Sequence, residues 1–297
     1  MNGVVESRRG LLRVGVGALF PSGLVAALAA CATADAVPAW QQRLAGDSVI
    51  LLGEVHDSAA QHRLRLEVLR RAFAAGWRPA IVMEQFDRER QAGIDRARRE
   101  RRRDAQHVIE LAATPPSRTG GGWPWDFYRP FVALALDHDV PLIAGNLSSA
   151  EAAVIVRSGH DAVFDAATLR HLGLDRPIEP AWQRAHEREI DAGHCGALPA
   201  ALWPRMAAAQ FARDAVMARA LDTHAARGAV LLAGNGHVRR DLGVPRWLRV
   251  DPRRAWSVGY LEEGDASAPA EAFDAVVRTK PVDRGDPCAA FRDRAPR

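Results

Sequence analysis

The chain has 297 residues, 48% of them apolar, which is length enough for one large domain or for a domain with a substantial insertion. Its 40 basic and 36 acidic residues leave a net charge of +4. That balance excludes the electrostatic footprint of a nucleic-acid binder. The positive charge is almost entirely arginine, Lys280 being the one lysine.

The first element is a leader. A basic stretch, Ser7-Arg8-Arg9-Gly10-Leu11-Leu12-Arg13, precedes a small and apolar run from Val14 to Ala27 and then Leu28-Ala29-Ala30-Cys31. The apolar core is too short for a membrane span and stops at a small-residue cleavage site, so residues 1–30 read as a signal peptide. The Leu-Ala-Ala-Cys ending resembles a bacterial lipobox, with Cys31 acylated as the first mature residue. Several acyl chains on one cysteine exceed the two signals needed for stable anchoring in a bilayer. Ser-Arg-Arg-x-Leu-Leu-Arg also resembles the twin-arginine export motif, although Leu11 stands where Phe is commoner, and an ordinary basic leader accounts for the same residues. Ala32 lacks the Asp that would signal inner-membrane retention, so an outer-membrane anchor is expected in a cell with two membranes. Removal of residues 1–30 takes three arginines and one glutamate, and +4 becomes +2.

Residues 31–46 then form a lipidated linker, 47–282 an α/β domain and 283–297 a polar tail. Within the domain the pattern predicts a strand at 48–55, a helix from Ala59 to Ala75, a strand at 79–86 and a helix from Asp87 to Ala112. The Arg-rich DRARRERRRDAQ at 95–106 alternates with acids and reads as a solvated helix face. After the loop TPPSRTGGG come a helix from Trp125 to His138, a strand at 140–147 and a helix capped by Ser148 or Ser149. Residues 151–226 show no strand and read as a helical segment able to lie over the sheet as a lid. A strand follows at 229–236, with weaker edge candidates at 255–262 and 273–280. Alternating strands and helices predict a mainly parallel sheet flanked by helices.

Two of these runs end alike, DSVILLGEVHD in GEVH at 53–56 and GAVLLAGNGHV in GNGH at 234–237. Both place a histidine just past the carboxyl end of a buried strand, where ligands bind in open α/β sheets. RPAIVMEQF puts Glu84 at such an end, and VPLIAGNL puts Asn146 there. Glu54, His56, Glu84, Asn146, Asn235 and His237 are thus expected to converge on one crevice. Three readings stay open. His56, Glu84 and His237 could ligate zinc or a similar divalent ion. One histidine could instead be a general base held by Glu54 or Glu84, or the set could be a structural network tying strand ends together. Asp214, in QFARDAVMARAL, lies beside the buried stripe of Phe211, Ala215 and Ala218 and would want a partner such as a site histidine, or would pair with a neighbouring arginine on the helix surface.

LLGEVHD, MEQF, WPWDFYRPFVALALDHDVPLIAGN, GHCG at 193–196, AQFARDAVMA and LLAGNGHVRRDLGVP occur in the order seen in the ChaN-like haem-binding lipoproteins, which this chain resembles from about Val49 to Pro245 and on toward Lys280. That family is grouped with the TIKI proteases, the TraB proteins and the erythromycin esterases. The resemblance implies an α/β fold, haem binding and a role in iron or haem acquisition at the cell surface. It also implies a shared G-x-x-H and glutamate constellation, here Glu54, His56, Glu84 and His237, which serves hydrolysis in enzymatic relatives.

Haem needs an iron ligand, a flat apolar cleft and cations for its propionates. Trp123, Trp125, Phe127 and Tyr128, followed by Arg129, supply ring surfaces, a phenolate and a guanidinium, or else a packed core with a satisfied hydroxyl. Tyr260, on an edge strand, reads as structural. His194 is the imidazole candidate, beside Cys195. Without a C-x-x-C-H motif the haem would be held non-covalently. Cys195 and Cys288 could pair in an oxidising periplasm, or Cys195 could stay free as a soft contact. The expected partners are haem, the bilayer through Cys31, an outer-membrane haem or iron transporter and a second copy in a homodimer. The runner-up is a hydrolase of metal-dependent or histidine-based type using the same crevice.

Overall fold

Two short apolar runs, Val49–Leu52 (β1) and Ala229–Leu232 (β4), are buried at every residue and lie side by side. Strands covered on both faces have no alternation to show, which is why each reads as an unbroken apolar run. In the computed structural model they form the centre of a six-stranded sheet with Ala80–Asp87 (β2), Leu142–Asn146 (β3), Ala255–Glu262 (β5) and Ala275–Thr279 (β6). The order is β3-β2-β4-β1-β5-β6 and every pair is parallel. The structure describes residues 38–115, 122–265, 268–286 and 288–289. The chain divides into residues 1–36 and Val37–Arg297, so the leader, the twin-arginine string and Cys31 lie outside the described residues, as do part of the TPPSRTGGG loop and most of the tail.

Period-two alternation along the strands sends two sets of side chains to opposite faces. Ile50, Leu52, Ile81 and Met83 pack with Ala59–Ala74 (α1), Gln91–Glu100 (α2), Ala105–Ala112 (α3) and Trp125–Asp137 (α4). Val49, Leu51, Val82 and Leu231 pack with Ser149–Ser158 (α5), Ala166–Leu172 (α6), Pro180–Gly193 (α7) and Trp203–His224 (α8). The expected helical segment 151–226 is therefore α5 to α8. Its longest helix covers a sheet face, while α7 reaches the carboxyl edge. None of the described helices is long and apolar enough to cross a membrane.

The single helix expected over 87–112 is broken. Asp104 accepts from the His107 amide at 2.9 Å and starts α3, while Arg101 leaves helical geometry. An aspartate that caps a new helix competes with continuation of the old one. The exposed edge of β3 is also closed: the Gln91 amide donates to the Leu142 carbonyl at 3.2 Å and accepts from the Ala144 amide at 2.8 Å, in place of a further strand. Of the two serines able to open α5, Ser148 is the cap.

Candidate functional site

The chain beyond β1 is welded to α1. Gln61 accepts from the Val55 amide at 2.6 Å and donates to Thr279 Oγ1 at 3.1 Å, which joins the GEVH turn to β6. Glu54 points into this interior and is 2% exposed. Arg65 Nη2 pairs with its Oε2, Tyr128 donates to its Oε1 at 2.5 Å, and His56 Nδ1 lies 2.9 Å from Oε1. Burial alone would raise the Glu54 pKa. The Arg65 charge, the His56 hydrogen bond and the charges of His62 and His56 outweigh burial and hold the carboxyl below its ordinary range. Glu54 is therefore an anchor that orients His56 from behind.

His56 is the open member of the site, with 46% of its side chain exposed and Trp123 in T-shaped contact at 4.8 Å between ring centroids. Burial opposes its protonation. The Glu54 hydrogen bond and the charges of Glu84 and Glu54 prevail and raise its pKa. The second G-x-x-H comes within contact of it: a Cβ on Gly234 would sit 3.0 Å from His56 Cε1 and 3.1 Å from Nε2. A glycine is what lets the two motifs close on each other.

Glu84, one residue past the last β2 residue paired with β4, accepts from the Gly234 amide at 2.7 Å through Oε2 and lies 3.5 Å from His237 Nε2 through Oε1. His237 rises from a helical turn, Asn235–Val238 (α9), and its Nδ1 meets Asp214 of α8 at 2.6 Å. Burial works against the charged imidazole, yet Glu84, Asp214 and the Asp214 hydrogen bond together raise the His237 pKa. Asp214, Glu84, His237 and His56 thus form one connected set, with Asp214 finding the histidine partner expected of it. Beside His237, α7, α8 and α9 enclose a cavity of about 210 Å³ walled by His186, Ile190, His194 and Leu242.

Several expected ligands are placed elsewhere. Tyr128 is 0% exposed, its hydroxyl serves Glu54, and burial followed by the Glu54 charge pushes its pKa far up. It is a core residue and not an open phenolate. Asn235 spends its amide on the Tyr260 backbone, donating at 2.6 Å and accepting at 3.1 Å, and packs onto Gly53, so it locks α9 to β5. Asn146 accepts from Arg213 at 2.9 Å and is buried. Trp125 is half-buried against Phe86, and Arg129 is exposed beside Asp126 at 3.4 Å. His194 Nδ1 lies 2.7 Å from the Ile190 carbonyl. Cys195 is disulfide-bonded to Cys288, which removes the free-thiol alternative.

Among the described residues no group of three or more His, Cys, Asp or Glu side chains is arranged to hold a metal ion. The zinc reading of His56, Glu84 and His237 therefore has no support among the described residues. Sequence reasoning missed His62, Arg65 and His186. Their signal was present, since His62 and Arg65 share the α1 stripe of Leu69, and His186 follows Trp182 by one turn of α7.

Comparison with known proteins agrees with this geometry. The sequence model of the family described as haem-binding uptake, Tiki superfamily, ChaN matches residues 40–248. Among solved structures, the ChaN protein of Campylobacter jejuni, described as binding haem cofacially, aligns with a TM-score of 0.59 at 18% identity, over 79% of this chain and 88% of that one. A succinoglycan biosynthesis protein aligns at 0.36 and 10% identity, over 75% and 68%. A Bacillus cereus protein aligns at 0.35 and 12%, over the same shares. No curated protein matches. With the family model covering well over half of its length, the chain belongs to the haem-binding uptake family of the Tiki superfamily, the family of ChaN.

Proposed function

We propose that this chain is a lipid-anchored haem-binding protein of the bacterial envelope, held in a membrane through acylated Cys31 and serving haem or iron uptake. Family membership supports haem as the ligand. The observation that carries the site is the pair of imidazoles at the carboxyl edge, each with Nδ1 held by a carboxylate, Glu54 behind His56 and Asp214 behind His237. A ring fixed in this way offers Nε2 for iron and gains basicity from the carboxylate.

The side chains present fit a haem ligated by imidazole. Both tyrosines are fully buried and their pKa values are raised, chiefly by burial, so neither offers a phenolate. His56 is the reachable imidazole, and Trp123, in T-shaped contact with it, would extend an apolar surface for the porphyrin. His194, His237 and Ile190 wall the adjoining cavity. At about 210 Å³ that cavity is below the ~300–1,000 Å³ usual for an enclosed ligand, so it would hold only part of a haem, and a second copy of the chain would be needed to enclose the rest. Arg129 is the exposed cation closest in sequence to this aromatic segment and is assigned to a propionate. The bound iron would supply the coordination and redox chemistry. The chain's own residues bind, orient and shield.

A histidine-based hydrolase remains the second reading, favoured by His237 between Asp214 and Glu84, which is the arrangement of an oriented general base. Haemin titration separates the two. The expected result is a saturable Soret change at low micromolar protein, altered by His56→Ala and unaltered by Tyr128→Phe, with His194→Ala as the test of the competing imidazole. Haemin bound no better than by an unrelated α/β protein of similar size would sink the haem reading, and ester or peptide turnover removed by His237→Ala would establish the other. The anchor is tested by intact mass of the membrane fraction, where an unmodified Cys31 or a start beyond it would exclude the lipoprotein.

A further inference from the structure

Away from the histidine cleft, the end of α6, the start of α7, the last third of α8 and residues 246–249 enclose a second cavity of about 370 Å³. It shares no lining residue with the cavity beside His237. Trp182 and Trp247 meet at 5.1 Å between ring centroids and supply its apolar wall. Four arginines supply the rest of its character: Arg219, 7% exposed, with Arg176, Arg246 and Arg249. The Arg246 guanidinium lies 4.2 Å from the centroid of the Trp182 ring.

The charge is only partly answered from within. Arg219 pairs with Asp222 at 2.7 Å and donates to the Trp247 carbonyl, and Arg246 pairs with Glu179 at 3.0 Å. Arg249 donates to the His171 carbonyl at 2.6 Å. Arg176 is exposed and makes no ion pair or hydrogen bond among the described residues. Four guanidinium groups therefore meet two carboxylates, and Asp175, the remaining acid of that loop, is exposed and outside the lining. Two donors of the wall, Arg219 Nε and Trp247 Nε1, also have no acceptor among the described residues, though both are closed off from solvent. Buried donors without partners are uncommon, and buried charge is costly unless it is answered. Burial and the neighbouring Arg249 both lower the Arg219 pKa against the pull of Asp222.

We propose that this cavity binds a small anionic amphiphile, a carboxylate carried on a flat apolar body. The body packs against Trp182 and Trp247. The carboxylate answers Arg176 and Arg246. A planar guanidinium suits a carboxylate, and the volume lies within the ~300–1,000 Å³ of small-molecule sites.

The test is calorimetric titration of the full chain with 2-naphthoate, with neutral 2-naphthylmethanol as the control. Saturable one-site binding of the anion is expected, with the alcohol at least ~10-fold weaker, as loss of a charge-assisted contact implies. Arg176→Ala, exposed and without a partner, should weaken the anion ~10-fold without affecting the fold, and Arg246→Ala should do so at least as much. Prior saturation with haemin should leave the binding unchanged. Absence of saturable binding, equal affinity for anion and alcohol, indifference to both substitutions, or displacement by haemin would each overturn the proposal. The haem reading does not depend on the outcome.

Discussion

The Tyr128 hydroxyl donates to Glu54 Oε1 at 2.5 Å across 74 residues of chain, and neither side chain reaches solvent. This contact ties α4 to the GEVH turn. It makes Tyr128 part of the machinery that holds Glu54, and through it His56. Tyr128→Phe is expected to cost about 1–3 kcal/mol, the penalty for leaving a buried acceptor short of a donor. The haemin spectrum should stay as it is. Urea denaturation reads the first effect and the Soret band the second; a changed spectrum in a variant of full stability would return Tyr128 to the iron.

The Arg65–Glu54 pair carries a sharper expectation, because both side chains are wholly buried. Arg65→Met leaves the Glu54 carboxylate without its principal counter-charge, and breaking a buried pair from one side costs roughly 3–5 kcal/mol. The double variant Arg65→Met with Glu54→Gln should recover a substantial part of that loss. A double-mutant cycle showing simple additivity would contradict the pairing.

His237 gives the fold a pH dependence of known sign. Its folded pKa is raised above the ordinary 6.5 by Glu84 and Asp214 against the opposing effect of burial. The folded state therefore holds that proton more tightly than the unfolded chain. The resulting stability is complete below pH 6.5 and is lost as pH rises through the folded pKa. Comparing wild type with His237→Gln by denaturation from pH 5.5 to 9 should show a stability gap that is largest at the acid end and narrows upward. A gap that is flat or widens with pH would rule out this charge arrangement. If His56 ligates haem iron as proposed, protons would compete with iron for its Nε2, and because its pKa is raised, haemin affinity should fall as the medium is acidified.

The Cys195–Cys288 bond closes a loop between residues 93 apart and fastens the end of the described chain beside His194. Arg284 holds the same segment to Asp57 and Glu262. Reduction, or Cys288→Ser, is expected to cost about 2–5 kcal/mol, the range for a long closed loop. The denaturation midpoint with and without reductant measures it. Equal midpoints, with the bond verified by intact mass before reduction, would show that it adds nothing to stability.

The strands and their parallel arrangement were legible in the sequence, although 255–262, expected at an edge, lies between β1 and β6. Val49–Leu52 and Ala229–Leu232 advertise burial on both faces by having no polar residue at all, and G-x-x-H marks where each strand ends. Ser148 and Asp104 are local signals of helix starts, although Asp104 was hidden within a run of charge that reads as one long helix. The partnerships were another matter. Which carboxylate stands behind which histidine depends on β1 and β4 lying side by side with β2 beyond, since that order brings the charge of Glu84 within reach of both His56 and His237. Asp214 lies near His237 only because α8 crosses the sheet at the right height. The role of Tyr128 was decided in the same way. An aromatic cluster in sequence can be a ligand surface or a core, and only the packing of α4 against α1 turns this hydroxyl inward to a carboxylate. Periodicity reports which face of an element is buried, whereas hydrogen-bond partners come from segments far apart in the chain, and tertiary structure alone selects among them.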